Sequence, residues 1–575
     1  MVEAKRPFIS LGLFMILKKV LKSPFSYIFL LMVLMLPLYL PLLGDSLIQG
    51  HDSLAGLIRA LCMEKYWGQG QFIIRWSPEV NFGYGSPIFD FYPPFFYYLT
   101  LIISKITQNT ILAINISCAL IWILSAVGMY LFSREFWGDK GGFLSAILYV
   151  YSPYFVQDFY VRGAFSEFMT FMIFPFLMLS IYKINQKVEF RYIFLGVISA
   201  FISILTHGMG VFINLIALLY AVFLFFFNKD FRALFSGFFV ILAGFSLSAF
   251  YWLPALWDTQ FLNLNFLISM RYDFHKNFIS LGQLFSLPWE KSTMSDNLNF
   301  QMGLIPILLL VLSIVIILKI LNSKKSLGKH YFFFLGIGVC AVFFTLPVSS
   351  FIWEHMNILK FIQLPWRFLT IIVFTISFLA GCSVMIFSNN KVNQTFLILT
   401  IFLIILSPYK YYSSAHFQHI DQDFLKSNLA SHSLLGEGER TPKWITIPPN
   451  SKPLNKFETV LGDARLGEIK SYNPIHFTVN YQATTASLIC FHTFYFPGWK
   501  VFIDHQSIDP YVNNPFGVIL FKAPLGQHEV QVVFGTTTIR WISMLISWVS
   551  LILMIFGLLC LELPRRRKIN FIKQA

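Results

Sequence analysis

Acidic, basic and histidine side chains interrupt the apolar runs of this sequence at a few places where they could take part in chemistry. Asp52 follows His51 shortly after the first apolar run, and Arg162 and Glu167 lie close together in the segment QDFYVRGAFSEF. Further candidates of the same kinds are Arg75, Asp90, Asp158, His207 and Arg367. A carboxylate can remove a proton from an acceptor hydroxyl, and guanidinium groups can hold a phosphate by paired charge-assisted hydrogen bonds. Together these groups could transfer a sugar from a donor whose leaving group is a phosphate.

The composition places the chain in a membrane. Hydrophobic residues make up 56% of its 575 residues, charged residues make up only 12%, and the mean hydropathy is +0.65. Such a chain needs lipid as its solvent, which excludes a soluble globular protein. The net charge of +15 does not indicate nucleic-acid binding, because Lys and Arg occur in short clusters between apolar runs and not in one basic patch.

About twelve apolar runs are predicted to be transmembrane helices, although several are short for a bilayer that needs roughly 20 residues. They lie at residues 27–43, 110–132, 141–155, 167–183, 191–206, 208–227, 232–252, 302–320, 331–348, 366–387, 394–408 and 539–562. The run at 93–106, PPFFYYLTLIISKI, is short, aromatic and opened by two prolines. We expect an interfacial helix there.

The basic residues predict the orientation of these helices. If residues 93–106 lie at the interface, one face of the membrane receives almost every basic turn, including Lys18, Lys19, Arg134, Lys183 and Arg191. Cytoplasmic loops carry such an excess of Lys and Arg, so both termini are expected in the cytoplasm. The first apolar run lacks a persuasive small-residue cleavage site and is expected to remain as a helix.

The domain organisation follows from this orientation. Residues 1–408 are predicted to form a transmembrane module whose outer face carries the segments 44–108, 156–166, 254–301 and 348–365. Residues 409–537 are more polar, and stretches such as FHTFYFPGWKVFID alternate in the manner of strands, which predicts an outer β-rich domain. Residues 538–575 supply the last transmembrane helix and a basic cytoplasmic tail. We expect the candidate residues to converge on one cavity at the outer face.

Several segments resemble a known family. The order of a first helix, a long outer loop with an early Asp, interfacial helices opened by a Pro motif and a second acidic outer loop resembles the GT-C glycosyltransferases that use polyprenyl-phosphate sugars. Two bacterial groups are similar over nearly the whole length, namely the 6-pyruvoyl-tetrahydropterin-synthase-related and the YfhO-like membrane proteins. The segments that carry the resemblance are HDSLAGLIRALCMEKYWGQGQFIIRWSPEVNFGYGSP, YVRGAFSEF, FYWLPALWD, QLPWRF, FPGWKVFID and APLGQHEVQVVF.

The resemblance implies a fold and an activity. The fold would be an all-α polytopic GT-C-like membrane protein with interfacial helices and a C-terminal extracytoplasmic β-rich domain, in the cytoplasmic membrane of a bacterium. The activity would be inverting transfer of a sugar from a polyprenyl-phosphate donor to a cell-wall polymer, surface glycan or lipid. Asp52 matches the catalytic carboxylate of the first loop, and Glu167 matches the acid of the second loop.

The resemblance leaves metal dependence open. Metal-dependent members have a second acidic residue close to the carboxylate of the first loop, and this chain has His51 there. We therefore expect no cofactor, although a divalent metal remains possible. The predicted substrate-binding residues are His51, Arg75, Trp76, Tyr84, Asp90, Asp158, Arg162, His207 and Arg367.

Each candidate residue also has a plainer structural interpretation. Asp52 could be the N-cap of the helix that SLAGLIRAL begins, and Glu167 could cap the next span. The arginines could extend to lipid headgroups, and His207 could be structural at a helix junction. The aromatic side chains of Trp76, Tyr84, Phe91 and Tyr92 could form an interfacial belt before they form a platform for lipid or sugar.

Two other classes of function compete with a transferase. A transporter or flippase of lipid-linked sugars normally places ionisable groups at the membrane midplane, whereas the charges here fall near the ends of the predicted spans. A noncatalytic envelope assembly protein would use its outer β-rich domain to bind a partner. Such a protein would tolerate replacement of Asp52, and a transferase would not.

Overall fold

The computed structural model describes residues 23–263, 273–286, 300–321, 325–356, 359, 362–386, 390–427 and 441–572. Lys18, Lys19 and parts of the segment 254–301 lie outside these residues. The helices up to residue 206 are α1 Pro24–Leu34, α2 Leu36–Tyr39, α3 Ser53–Gly68, α4 Ile88–Phe91, α5 Phe95–Thr107, α6 Thr110–Val150, α7 Pro153–Tyr160, α8 Phe165–Gln186 and α9 Phe190–Thr206.

The later helices follow in two groups. Before the β-rich region they are α10 Met209–Asn228, α11 Phe231–Leu247, α12 Ala249–Asp258, α13 Leu281–Leu284, α14 Leu304–Ile320, α15 Lys325–Thr345, α16 Ser350–His355, α17 Leu369–Ala380, α18 Asn390–Leu406, α19 Tyr409–Ser413 and α20 Gln422–Ser427. After it comes α21, Thr538–Ile572, and a 3-10 turn at Pro365–Phe368 leads into α17.

The predicted spans all coincide with helices. Six stretches are long and apolar enough to cross a membrane, and two bent pairs, α1 with the segment Leu36–Leu43 and α11 with Ala249–Phe261, raise the number to eight among the described residues. Four shorter apolar helices, Phe95–Thr107, Phe190–Thr206, Leu304–Ile320 and Lys391–Leu406, include three of the remaining predicted spans and the expected interfacial helix. The chain is a mostly helical membrane protein, and its number of crossings stays a prediction.

Helix α6 contains a reversal at Gly138. The backbone of Gly138 has φ 69° and ψ −178°, a conformation that is essentially restricted to glycine. A Cβ atom built on Gly142 would lie 2.9 Å from the carbonyl oxygen of Tyr130, twelve residues earlier. In a straight helix those residues would be roughly 18 Å apart. The two halves of α6 therefore pack side by side as a hairpin, which accounts for the two separate spans that the sequence predicts.

The basic turns meet at one end of the helices. The Lys183 ammonium lies 2.6 Å from the Glu135 carboxylate, and Asn228 donates a hydrogen bond to Asn185. These residues lie at the ends of the first half of α6, of α8 and of α10. Glu167 lies at the opposite end of α8, so the acidic candidates and the basic turns are separated by the length of a span. This separation agrees with the prediction that the basic turns and the acidic candidates lie on opposite faces of the membrane. Which face is cytoplasmic stays a prediction.

The C-terminal part is a β-rich region. Its strands are β3 Phe457–Leu461, β4 Ala464–Asn473, β5 His476–Ala483, β6 Ser487–Phe494, β7 Trp499–Ile503, β8 Gln506–Ile508, β9 Val518–Ala523 and β10 Gly526–Phe534. They form a five-stranded sheet in the order β4-β5-β10-β7-β8 and a three-stranded sheet in the order β3-β6-β9, with antiparallel pairing throughout. Phe491 of one sheet packs on Phe477 and Trp499 of the other, with ring centroids 5.2 and 5.6 Å apart.

The segment 44–108 is hydrogen-bonded to the β-rich region and to the strand that lies before it. Strand β1, Leu47–Ile48, pairs with β2, Phe417–Gln418, which lies just before the region. Further along, the Lys456 ammonium donates hydrogen bonds of 2.9 Å to the carbonyl oxygens of Gly83 and His492. The first outer loop and the β-rich region are therefore one packed unit.

Lys456 should make the stability of this unit depend on pH. Burial lowers the pKa of Lys456 to about 7, whereas a lysine in the unfolded chain titrates near 10.4. Between these values the unfolded state binds more protons, so stability should rise with pH from 7 to about 10. In Lys456→Met the rise of the melting temperature over this range should be smaller. The exposed Lys470→Met is the matched control and should keep the wild-type slope; an unchanged slope in both variants would contradict the assignment.

Candidate functional site

Backbone contacts join the segment 44–108 to the loop before α8. The amide of His51 donates to the carbonyl oxygen of Val161 at 3.2 Å, and the amide of Asp52 donates to that of Arg162 at 2.7 Å. The chains can approach this closely because the next residue is Gly163, which has φ 63°. A Cβ atom on Gly163 would lie 1.9 Å from Ser53 Oγ.

Replacement of Gly163 should therefore displace Asp52. Gly163→Ala would force its methyl group into Ser53 and strain a left-handed backbone. We expect a loss of stability of about 1–3 kcal/mol, and a fall in whatever activity depends on Asp52. The measurement is a melting curve in detergent together with the activity assay. Gly70→Ala is the matched control for backbone strain, because Gly70 also has positive φ but open space around it; equal behaviour of the two variants would contradict a role for the close contact.

Asp52 does not act as a capping side chain. It occupies the N-cap position of α3, but its carboxylate makes no capping hydrogen bond. It is half-buried, while His51 beside it is exposed. The N-cap interpretation accounts for the position of Asp52 in the chain and does not account for its carboxylate, which remains available to another group.

Glu167 is the centre of a buried charged cluster. Its Oε1 accepts a hydrogen bond of 2.7 Å from the Tyr154 hydroxyl. Its Oε2 lies 2.9 Å from Arg162 Nη1 and 3.1 Å from Arg367 Nε. His207 Nε2 lies 3.7 Å from the same oxygen. Helices α7 and α8, the turn before α17 and the junction after α9 thus meet at one carboxylate.

Asp158 completes this cluster. One of its oxygens accepts a hydrogen bond from Arg162, and the guanidinium of Arg162 also lies over the Trp366 ring, 4.5 Å from the centroid. The other oxygen, Oδ2, is buried and has no hydrogen-bond partner among the described residues. Burial and the charge of Glu167 raise the pKa of Asp158 well above its usual value. A protonated Asp158 would leave the cluster with an excess of positive charge.

His207 is neutral in this setting. Burial lowers its pKa to about 3, and the two guanidinium groups act in the same direction against the attraction of Glu167. Its Nδ1 accepts a hydrogen bond of 3.2 Å from the amide of Met209. The imidazole is therefore a polar neighbour of Glu167 and adds no charge to the cluster near neutral pH.

Arg75 and Asp90 lie in a second network. Arg75 Nη1 contacts Asp90 Oδ1 at 2.6 Å, and Arg75 Nη2 donates to the carbonyl oxygen of Phe250 at 2.9 Å. Arg540 Nη2 contacts Asp90 Oδ2 at 2.7 Å and Asp258 Oδ2 at 3.1 Å. All but Arg75 are fully buried. The network joins the first outer loop, α12 and the start of α21, a placement that favours a structural role for these residues.

Sequence reasoning did not single out Asp258 or Arg540. Asp258 ends the segment FYWLPALWD, which was noted for its resemblance, and Arg540 lies at the start of an apolar run. A lone arginine at the mouth of a span is more often a headgroup contact than a buried ion pair. The only available signal was the charge itself in an apolar context.

Trp76 and Tyr84 pack on the β-rich region. Trp76 is fully buried, with its ring centroid 5.5 Å from that of Trp499 and 5.4 Å from that of Phe534. Tyr84 stacks on Phe494 at 5.3 Å.

The structure thus brings together the backbone at His51 and Asp52 with Asp158, Arg162, Glu167, His207 and Arg367. It places Arg75, Asp90, Trp76 and Tyr84 elsewhere.

No cluster of His, Cys, Asp or Glu suited to hold a metal ion occurs in the part of the chain that the structure describes. In the segment 44–108 the residue next to Asp52 is His51, whose side chain is exposed. Both oxygens of Glu167 already have partners in Tyr154, Arg162 and Arg367.

The sequence model of a family described as "6-pyruvoyl-tetrahydropterin synthase related domain; membrane protein" matches residues 89–414. No curated protein matches the sequence. Among solved structures, a match is the crystal structure of an oligosaccharyltransferase from Archaeoglobus fulgidus in complex with Zn and sulfate, with 15% identity and a TM-score of 0.40. The match covers 75% of this chain and 59% of that enzyme.

Proposed function

The chain belongs to the family of membrane proteins described as 6-pyruvoyl-tetrahydropterin synthase related, and we propose that it is a membrane glycosyltransferase of the GT-C type. It moves a sugar from a polyprenyl-phosphate donor to an acceptor hydroxyl on a cell-wall polymer, surface glycan or lipid. The observation that carries the proposal is the Asp52 carboxylate, which makes no capping bond although it stands at the N-cap of α3. The backbone of Asp52 is bonded to the loop that carries Arg162.

Asp52 acts as the general base in this mechanism. It takes the proton of the acceptor hydroxyl as the acceptor oxygen forms a bond to the anomeric carbon of the sugar. The bond between that carbon and the phosphate oxygen breaks at the same time, and the phosphate leaves with the electron pair. The configuration inverts through an oxocarbenium-like state, and the phosphate needs no proton in order to leave.

The cluster around Glu167 orients the reacting groups. Glu167 holds Arg162 and Arg367 in place, because both contact its Oε2. The positive charge of Arg162, whose backbone is bonded to that of Asp52, favours a negatively charged leaving group. The isoprenoid chain of the donor lies against the apolar helices. The site and the β-rich domain face the outside of the cytoplasmic membrane of a bacterium, with both termini in the cytoplasm.

The test is sugar transfer by the purified protein in lipid nanodiscs. A panel of labelled polyprenyl-phosphate sugars is offered with a membrane and cell-wall extract as acceptor, and labelled product is measured. Transfer from at least one donor is expected. If no donor gives transfer, the proposal fails. The purified protein can then be reconstituted into vesicles to measure flipping of the lipid-linked sugars.

A further inference from the structure

Arg59 differs in its partners from the buried and half-buried arginines of the two charged networks. Arg75, Arg162, Arg367 and Arg540 each contact a carboxylate within 3.1 Å. Arg59 is 8% exposed and forms no ion pair with the described residues. Its guanidinium lies over the Tyr92 ring, 3.9 Å from the centroid, and its Nη1 lies 3.5 Å from the Tyr97 hydroxyl. Its Nε is buried without a hydrogen-bond partner.

Arg59 lies beside the Asp52 site. It follows Asp52 by seven residues, two turns of α3, so both residues are on the same side of the helix. Helix α3 also packs directly on the start of α8. A Cβ atom on Gly56 would lie 2.7 Å from the Phe165 ring, two residues before Glu167. The charge of Asp52 acts on Arg59, but the two groups do not form an ion pair.

A buried guanidinium with an unused donor is costly unless an anion joins it. The phenol groups of Tyr92 and Tyr97 leave the positive charge of Arg59 in place. Arg162 and Arg367 share the Glu167 carboxylate, whereas the charge of Arg59 remains available for a ligand. An arginine fork binds phosphate, like carboxylate, by paired hydrogen bonds, and phosphate is the anionic group of the proposed donor.

We propose that Arg59 binds the phosphate of the polyprenyl-phosphate donor. This inference rests on the proposed function and assigns one part of it: the phosphate lies between Arg59 and the sugar, which faces Asp52. After transfer, Arg59 holds the polyprenyl phosphate that leaves. The guanidinium of Arg59 is held against the Tyr92 ring. Because Arg59 and Asp52 belong to the same helix, α3, the position of Arg59 sets the distance between the base and the leaving phosphate.

Direct binding tests this inference separately from catalysis. Farnesyl phosphate and farnesol are titrated into the protein in nanodiscs, and binding is measured by thermophoresis. The wild type should bind farnesyl phosphate more tightly than farnesol. In Arg59→Gln the affinity for farnesyl phosphate should fall about 10- to 100-fold, with the affinity for farnesol unchanged. Arg191→Gln is the matched control, because Arg191 also lies over a tyrosine ring, at 4.6 Å, but is exposed.

The outcomes separate the inference from the proposed function. If the wild type prefers farnesyl phosphate and Arg59→Gln keeps that preference, the inference is wrong and the proposed function stands. If the wild type does not prefer farnesyl phosphate, both are wrong. Competition by inorganic phosphate or phosphatidic acid at equal concentration would show a general phosphate site and would overturn the assignment to the donor.

A second variant tests the same inference if Arg59→Gln does not fold. Arg59→Lys keeps the positive charge but offers a single point charge in place of the planar fork. Its affinity for farnesyl phosphate should fall about 3- to 10-fold, less than in Arg59→Gln. Wild-type affinity in Arg59→Lys would contradict binding through the paired donors of the guanidinium.

Discussion

Replacing Asp52 with asparagine is expected to lower the rate of sugar transfer about 100- to 10,000-fold, the usual contribution of a general base. Asparagine has nearly the same shape but cannot accept the proton of the acceptor hydroxyl. The stability should not change, because the carboxylate makes no capping bond that the amide would lose, and asparagine suits an N-cap position equally well. The rate is measured in nanodiscs with the donor that the panel identifies, beside a melting curve.

Asp45→Asn is the matched control for this variant. Asp45 lies in the same outer loop, and its carboxylate is 59% exposed and 3.8 Å from His419 of the segment before the β-rich region. It lies apart from the cluster around Glu167, so transfer should continue at the wild-type rate. Transfer by Asp52→Asn at the wild-type rate would remove the base from the mechanism. It would favour the interpretation in which the β-rich domain binds a partner and no chemistry occurs.

The helices could be predicted from the sequence because lipid imposes a simple rule. Each predicted apolar run coincides with a helix, from the first run at α1 to the last at α21. Even the short runs at 302–320 and 394–408 are helical. Alternation of apolar and polar residues likewise indicated the strands near Trp499 and Val530. In both cases a periodic pattern within one segment decides the local structure.

Pairings between distant charges could not be predicted in this way. The acidic loop around Glu167 was recognised, and the structure brings Arg162, Arg367 and His207 to it from three segments. Arg75 looked like an equal candidate, yet its partner Asp90 is shared with Arg540, 450 residues further along. Local composition does not say which carboxylate neutralises which guanidinium, because only the packing of helices brings them together.

Arg59 shows the opposite error of sequence reasoning. It lies in LIRAL, an amphipathic stretch where an arginine is normally on the solvated face of a helix. The structure buries it between two tyrosines. The early Asp drew attention to the start of α3. The arginine two turns later was not singled out, because its local sequence does not distinguish it from a surface residue.

Loss of Arg540 should destabilise the protein more than loss of any exposed charge. In Arg540→Met the buried carboxylates of Asp90 and Asp258 lose their common partner, and the carbonyl oxygen of Pro497 loses a hydrogen bond of 3.0 Å. Removing one partner of a buried ion pair lowers the free energy of unfolding by about 3–5 kcal/mol, because the charge of the other partner is left uncompensated. We expect a clear fall of the melting temperature in detergent and faster proteolysis of the β-rich region.

The control and a compensating variant make this prediction specific. Arg134→Met removes a partly exposed ion pair, in which Arg134 lies 3.1 Å from Asp139, and should cost no more than about 1 kcal/mol. The triple variant Arg540→Met, Asp90→Asn, Asp258→Asn removes the unpaired charges and should recover part of the lost stability, although Arg75 then loses its carboxylate. Asp90 belongs to the loop that also carries Asp52. A stable Arg540→Met protein with an unchanged proteolysis pattern would therefore mean that contacts such as those of Trp76, Tyr84 and Lys456 hold the loop to the β-rich region without Arg540.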